Sequence, residues 1–319
     1  MASIKLKRAA TSALRDFMGL DEGETLLVIT DEYGAEVGSA LYEAGKKLCA
    51  EAFYVEMRSR GRNGEEPPEQ IARLMREVDV VVCPTAKSLT HTRARREASK
   101  LGVRIGTMPG ITEDTLSRCL SADPKQIVED TERVASVMEG STAVRVTTAL
   151  GTDIAMGVKG RRALSSTGVL RRIGESGNLP SGEVYLAPLE GSSEGVVVFD
   201  GSIAGIGILS SPVTVTVKEG MIVDIAGSGP EAKQFAKLFL KYEQAKAVAE
   251  FGIGTNYKAK ICGDILEDEK VMGTIHIAFG NNIGMGGKID VPLHIDGIVK
   301  EPTVLIDGKE IMRAGKFLI

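Results

Sequence analysis

The feature that most constrains this chain is a change of rhythm near residue 140. Before it, short apolar runs alternate with helical stretches. Thr25-Leu-Leu-Val-Ile-Thr30 reads as a buried strand, followed by a small-residue helix over 32–49. Residues 52–56, 78–83 and 103–105 read as further strands, with helices ending near Glu77 and covering 92–101 between them. Strands alternating with helices at this spacing predict βαβ units and a parallel sheet. Gly34-Ala-Glu-Val-Gly38 is a fragment of a dinucleotide fingerprint, which close helix–strand packing explains as well.

After that point the composition shifts. Only 11 of the 37 glycines lie in the first 140 residues. Asp123-Pro124 opens a connector helix to about Gly140, and short apolar strands with turns follow: 144–148 and 154–158, then 195–199, 213–217 and 221–225. Glu219-Gly220 and Asp307-Gly308 are hairpin-turn signals. One long helix is expected from Pro230, with Phe235, Leu238, Phe239, Tyr242, Ala245, Val248 and Ala249 as its apolar face, ending before Gly252. The expected organisation is an α/β N-terminal domain with an open parallel sheet over 1–140, of the Rossmann or flavodoxin-like kind. A β-rich α+β domain over 141–319 would carry the metal site and the catalysis.

Composition excludes several classes. With 39 Lys and Arg against 43 Asp and Glu, neither part is basic, and aromatic residues are only 4%, so no nucleic-acid partner is expected. No run approaches the roughly 18 apolar residues of a membrane span, and the start lacks the apolar core of a signal peptide. Cys49, Cys83, Cys119 and Cys262 sit singly in apolar runs and read as buried thiols of a reducing, cytoplasmic compartment.

Of three histidines, two lie close together. His276 sits in Gly273-Thr-Ile-His-Ile-Ala-Phe-Gly280 and His294 in Val291-Pro-Leu-His-Ile-Asp-Gly297, both strand-like. Residues two apart on a strand share a face, so His294 and Asp296 point the same way. Two imidazoles and a carboxylate on rigid strands suit a divalent first-row ion. Glu250, at the end of the expected helix, would face the negative end of its dipole, a placement a bound cation reverses. Glu183 enters a strand from the Pro/Gly-shaped loop Gly177-Asn-Leu-Pro-Ser-Gly-Glu183. The third histidine, His91, lies beside Arg93, Arg95 and Arg96, either as an anion contact or as a helix start capped by Thr90 or Thr92.

Asn178-Leu-Pro-x-Gly-Glu183-Val, Glu250-Phe-Gly-Ile-Gly-Thr-Asn256, His276-Ile-Ala-Phe-Gly-Asn and His294-Ile-Asp296 follow one another in that order. Together they resemble the aminopeptidase T/aminopeptidase S family of metallo-exopeptidases. Gly151-Thr-Asp153, and in the first half Ser88-Leu-Thr-His-Thr-Arg-Ala-Arg-Arg-Glu97 and Met108-Pro-Gly-Ile111, look like elements of its short microbial members. The resemblance implies a homodimer and a two-ion site of Zn, Co or Mn held by Glu183, Glu250, His276, His294 and Asp296. Glu183 or Glu250 would be the shared, catalytic carboxylate. A metal-activated water would release N-terminal residues from a peptide or small-molecule substrate. One position departs: where better-known members carry a tyrosine ligand seven residues after the first histidine, this chain has Ile283, with Asn281, Asn282 or water as the substitutes at hand.

The leading expectation is therefore a metallo-aminopeptidase. The alternative is a mononuclear Fe(II) ring-cleaving dioxygenase, implied by the resemblance of the dihydroxypyridine dioxygenase group to this same superfamily. His276, His294 and Asp296 make the two-His, one-carboxylate set that suits non-haem Fe(II). A third reading is a non-catalytic metal-binding relative.

Overall fold

The computed structural model describes residues 3–319, and the chain divides into two compact units. One runs to Val128 and takes in Ser166–Ser181; the other comprises Glu129–Ser165 and Gly182–Ile319. The division expected after Gly140 thus falls inside the helix Pro124–Met138, and the chain makes one return to the first unit that no local signal announces.

The first unit is an open parallel sheet in the order Glu51–Glu56, Thr25–Thr30, Val80–Thr85, Arg104–Pro109 and Ser176–Asn178. Leu26, Leu27, Val28 and Ile29 are all buried, the continuous apolar run of a parallel strand covered on both faces. A Cβ on Gly34 would lie 1.9 Å from the Pro84 carbonyl oxygen, and one on Gly38 would lie 3.1 Å from the Thr30 side chain. Both glycines therefore serve close packing of the helix Ala35–Gly45. Thr92 caps the helix Arg93–Lys100 by accepting from the Arg95 N–H, which leaves His91 exposed just ahead of the helix. Cys83 and Cys119 are buried, whereas Cys49 and Cys262 are partly exposed, so only two of the four thiols match the expected burial.

The second unit contains two antiparallel sheets. An eight-stranded sheet runs from Met221–Ala226 through Val213–Lys218, Glu194–Phe199, Asp153–Gly157 and Ala143–Thr147 to Thr303–Ile306, Lys309–Arg313 and Lys316–Phe317. Two of its hairpins close at the expected dipeptides. Glu219 and Gly220 have φ of 50° and 73°, and Asp307 and Gly308 have 48° and 81°, the twist a two-residue loop needs to match its strands. The central strands of the seven-stranded sheet run in the order His294–Val299, Ile275–Gly280, Val248–Gly254 and Glu183–Leu186. One buried cluster joins the two sheets, and in it Phe199, Phe235 and Phe279 meet edge to face at 6.0–6.3 Å.

The long helix from Pro230 does not form. It stops at Leu238, a short turn follows at Glu243–Lys246, and Val248–Gly254 is a central strand. The apolar face expected of one helix belongs to two elements. Phe235 and Phe239 anchor the helix, while Val248, Phe251 and Ile253 pack into the core from the strand. Backbone pairing on both edges of this strand outweighs helical periodicity, which over so short a run does not separate the two. Glu250 is thus a mid-sheet residue, and the helix-dipole argument for it does not apply.

Among the described residues, no helix is long and apolar enough to cross a membrane.

Candidate metal centre

The four central strands carry all five residues singled out in the sequence. The register sets Gly254 opposite Glu183, Gly252 opposite His276, Gly280 opposite His294, and Ala278 between Glu250 and Asp296. Directly paired residues share a face, so all five side chains leave the sheet on the same side. The other side is core: Val184, Phe251, Ile253, Ile277, Phe279 and Val299.

Glu250 reaches the polar face only because the strand is bulged. Val248 pairs with Phe279 and Glu250 with Ala278, so one extra residue, Ala249, lies between consecutive pairs. Strict alternation from Val248 would turn Glu250 into the core; the bulge re-aims it. Two glycines then clear the ground. A Cβ on Gly252 would lie 2.0 Å from His276 Nε2, and one on Gly254 would lie 2.2 Å from the Val271 carbonyl oxygen. The first absence makes room for the imidazole. The second lets the backbone of Lys270 and Val271 lie against the sheet.

His276 Nε2 is 3.2 Å from Glu250 Oε1 and 3.6 Å from Glu183 Oε2. His294 Nε2 is 3.2 Å from Glu250 Oε2 and 3.5 Å from Asp296 Oδ1. Glu250 therefore stands between the two imidazoles. Ligand atoms of Glu250, His294 and Asp296 all lie within 4.8 Å of one another. The His294 Nδ1–H donates to the Asn281 carbonyl at 2.7 Å, which fixes the tautomer and turns Nε2 toward the carboxylates. His294 is the most open member, with 32% of its side chain exposed, while Glu183, Glu250, His276 and Asp296 are buried. Access is from the His294 side.

The electrostatics call for positive charge. Burial works against His276 carrying a proton, yet the hydrogen bond and charge of Glu250 outweigh it and raise its pKa to about 9. Burial likewise opposes His294, and Asp296 and Glu250 overcome it and hold its pKa well above the ordinary value. Burial would raise Glu250, but the two imidazoles hold it far below the usual carboxylate range.

Three further residues belong to this face, and sequence reasoning missed them. Lys270 Nζ, buried, lies 2.8 Å from Glu183 Oε2 and 2.5 Å from Glu269 Oε2. Burial pushes Glu269 up to about 8 against the pull of Lys270. Tyr185, opposite Gly252 and on the same face as Glu183, is kept protonated above its ordinary value by burial and by the charges of Glu183 and Glu250. The Glu183-x-Tyr185 alternation could have flagged the tyrosine. Nothing in the sequence near Lys270 marks it.

The position of the departing tyrosine brings no donor atom to the site. Ile283 is 49% exposed in the short turn Ile283–Met285. The Asn282 amide donates to Glu190 and accepts from the Ile289 N–H, and the Asn281 amide donates to Asp290 and the Val291 carbonyl. Both amides are engaged by these partners, so neither substitutes as a ligand there.

The donor set fits a divalent cation. Ligands at about 2.0–2.2 Å from an ion sit roughly 3–3.5 Å from each other, the spacing His294 Nε2 keeps from Glu250 and from Asp296. Buried carboxylates without a compensating cation would cost several kcal/mol.

Fold and site together define a two-unit protein: an α/β unit with a parallel sheet, and a β-rich unit carrying a candidate divalent-metal centre. The model of the family described as NicX, 2,5-dihydroxypyridine 5,6-dioxygenase, matches residues 8–319, and the chain belongs to that family. It is 22% identical over 334 residues to the 2,5-dihydroxypyridine 5,6-dioxygenase of Pseudomonas putida KT2440, covering 93% of this chain and 91% of that protein. The solved 2,5-dihydroxypyridine dioxygenase from Pseudomonas putida KT2440 superposes with a TM-score of 0.83 at 20% identity, covering 98% of this chain and 96% of that one. AmpT from Thermus thermophilus superposes with a TM-score of 0.71 at 18% identity, covering 99% of both chains.

These findings correct the leading expectation. The metallo-aminopeptidase reading, and the hydrolase class with it, is overturned by the family match and the curated relative, both of which are dioxygenases. The resemblance to the aminopeptidase T group holds for the fold and goes no further.

Proposed function

We propose that this protein is an Fe(II)-dependent dioxygenase that opens a hydroxylated pyridine-type ring, with a single ion held by His276, His294, Asp296 and Glu250. The family match over residues 8–319 carries this reading. Two imidazoles with carboxylates on one buried sheet face support it, because that donor set suits non-haem iron and leaves room for further ligands. Ferrous iron, when bound, supplies the redox chemistry that couples dioxygen to an electron-rich aromatic ring.

The chain's own residues do the rest. Asn281 holds the His294 ring in place through Nδ1. Burial of Glu250, His276 and Asp296 keeps bulk water from the reacting face. A planar substrate entering from the His294 side would meet the protonated Tyr185 phenol, a donor for a ring oxygen.

The test is anaerobic loading of metal-free protein with Fe(II), followed by admission of oxygen with 2,5-dihydroxypyridine. Oxygen uptake coupled to loss of the aromatic absorbance is expected. Absence of both, across hydroxylated pyridines and with one Fe(II) bound, would reject the reading.

A further inference from the structure

We propose that Glu190, paired with Arg161, is a positioning residue for the metal centre: it anchors the loop 281–293, whose backbone sets the ring of His294. The proposal rests on the reading above that this face holds a metal. The loop joins the strands Ile275–Gly280 and His294–Val299, which carry the two imidazoles. Its first carbonyl, that of Asn281, accepts the His294 Nδ1–H at 2.7 Å. Where that carbonyl stands decides where Nε2 points, and a binding constellation must be held to within about 0.5 Å. Asn282 is the centre of the loop. It is buried, its amide oxygen accepts the Ile289 N–H at 2.7 Å, and its carbonyl accepts the Gly287 N–H at 3.0 Å. Gly287 is bare for this reason, since a Cβ there would lie 2.0 Å from Asn282 Cγ.

Glu190 ties this centre to the rest of the unit. Its Oε1 accepts from Asn282 Nδ2 at 3.1 Å and from the Lys288 N–H at 2.8 Å. Arg161 donates to the Gly286 carbonyl and, at 2.5 Å, to Glu190 Oε2. Among the described residues, the two bonds to Glu190, the one from Arg161 and the one from His294 are the hydrogen bonds linking this loop to other parts of the chain. The anchor is itself fixed. The Leu189 N–H donates to the Gly157 carbonyl at 2.8 Å, and the Gly157 N–H donates to Ser192 Oγ at 3.1 Å. The segment carrying Glu190 is thus bonded to the end of the strand Asp153–Gly157, four residues before Arg161. The Arg161 side chain is 9% exposed and that of Glu190 25%, so the pair is shielded where most surface pairs are not. Burial would raise the Glu190 carboxyl, yet the Lys288 N–H, the Asn282 amide and the Arg161 charge hold it below its ordinary value. An arginine suits the role because its planar fork serves two acceptors at once.

The test uses Co(II) as the probe, because its visible absorption reports the geometry of its ligands as well as its binding. Metal-free protein is titrated with Co(II), and Kd and the visible bands are compared with wild type. Partners that touch a metal ligand are typically worth about 10–100-fold in affinity. Glu190 acts one step further out, so Glu190→Ala should weaken Co(II) binding by more than about threefold and change the bands. Glu190→Gln keeps an acceptor oxygen for Asn282 and Lys288 and should stay within about threefold of wild type. A role in stability alone would lower the melting temperature of the metal-free variants and leave Kd and the bands as they are. A Kd within threefold or unchanged bands in folded Glu190→Ala, or a Glu190→Gln weakened by more than threefold, would each overturn the proposal. If Glu190→Ala fails to fold, Arg161→Met is read in its place by the same two criteria. A wild type that binds no Co(II) would instead overturn the metal reading, and this proposal with it.

Discussion

Glu250 shows how much rests on one side chain. Its two oxygens each face an imidazole at 3.2 Å, so it links His276 to His294 and sets the charge that both feel. Glu250→Gln keeps the shape and removes the charge. We expect metal affinity to fall about 10–100-fold, the range typical of groups that tune a metal's ligands, as read by retained metal after dialysis; unchanged retention would count against its role. Tyr185 lies on the same face without being part of the donor set, so Tyr185→Phe should separate substrate binding from metal binding. Loss of one hydrogen bond of about 0.5–1.5 kcal/mol should raise KM about threefold to tenfold while metal content stays constant. Far from the site, Asp307 gives a pH signature. Hydrogen bonds donated first by Thr142, and then by the Ala143 N–H, hold its carboxyl below the ordinary 3.8. A carboxyl lowered on folding stabilises the folded state above its unfolded pKa, and that contribution fades as pH falls below about 4. Asp307→Asn should therefore lower the melting temperature near pH 7 and narrow its gap from wild type near pH 3. A gap that stays constant with pH would show that the charge is not what stabilises.

The decisive element is the strand Val248–Gly254. Its sequence, Val-Ala-Glu-Phe-Gly-Ile-Gly, looks like a helix end followed by a glycine loop. In the sheet its alternation is strict once the bulge is counted: Phe251 and Ile253 face the core, while Glu250, Gly252 and Gly254 face the site. The two glycines are the absences that let His276 and the Lys270 backbone fit. Gly252→Ala would set a methyl 2.0 Å from His276 Nε2, so the ring must swing away. We expect metal affinity to drop at least tenfold, with a stability loss of about 1–3 kcal/mol, as for other overpacked sites. Loss of metal together with a retained far-UV circular dichroism spectrum would check it. Full metal binding in this variant would show that the ring has slack the present geometry lacks.

At the scale of the whole molecule, a metal ion bound at this face of the β-rich unit should stabilise the fold by mass action. At a free metal concentration 100 times Kd the gain is about 2.7 kcal/mol, roughly 5–10 °C for a unit of this size. Thermal melts of chelator-treated protein with and without Mn(II) would measure it, and coincident curves would argue against a bound ion. Much of this architecture is legible locally. Thr25–Thr30 and its partners announce a parallel sheet because each buried strand must be continuously apolar, and Glu219-Gly220 and Asp307-Gly308 announce hairpins because their glycines accept positive φ cheaply. The candidate donor residues stand out in the sequence too, since imidazoles and acids inside apolar strands carry a desolvation cost that needs a partner. What the sequence by itself determined was therefore the first four strands of the first unit, two hairpins of the second, and which side chains are candidates for holding a metal. Only the tertiary structure decided that Val248–Gly254 is a strand, that a bulge turns Glu250 outward, and that Lys270 stands beside Glu183. Those outcomes depend on pairings between residues far apart in the chain, and a local pattern carries no information about which backbone will arrive to form them.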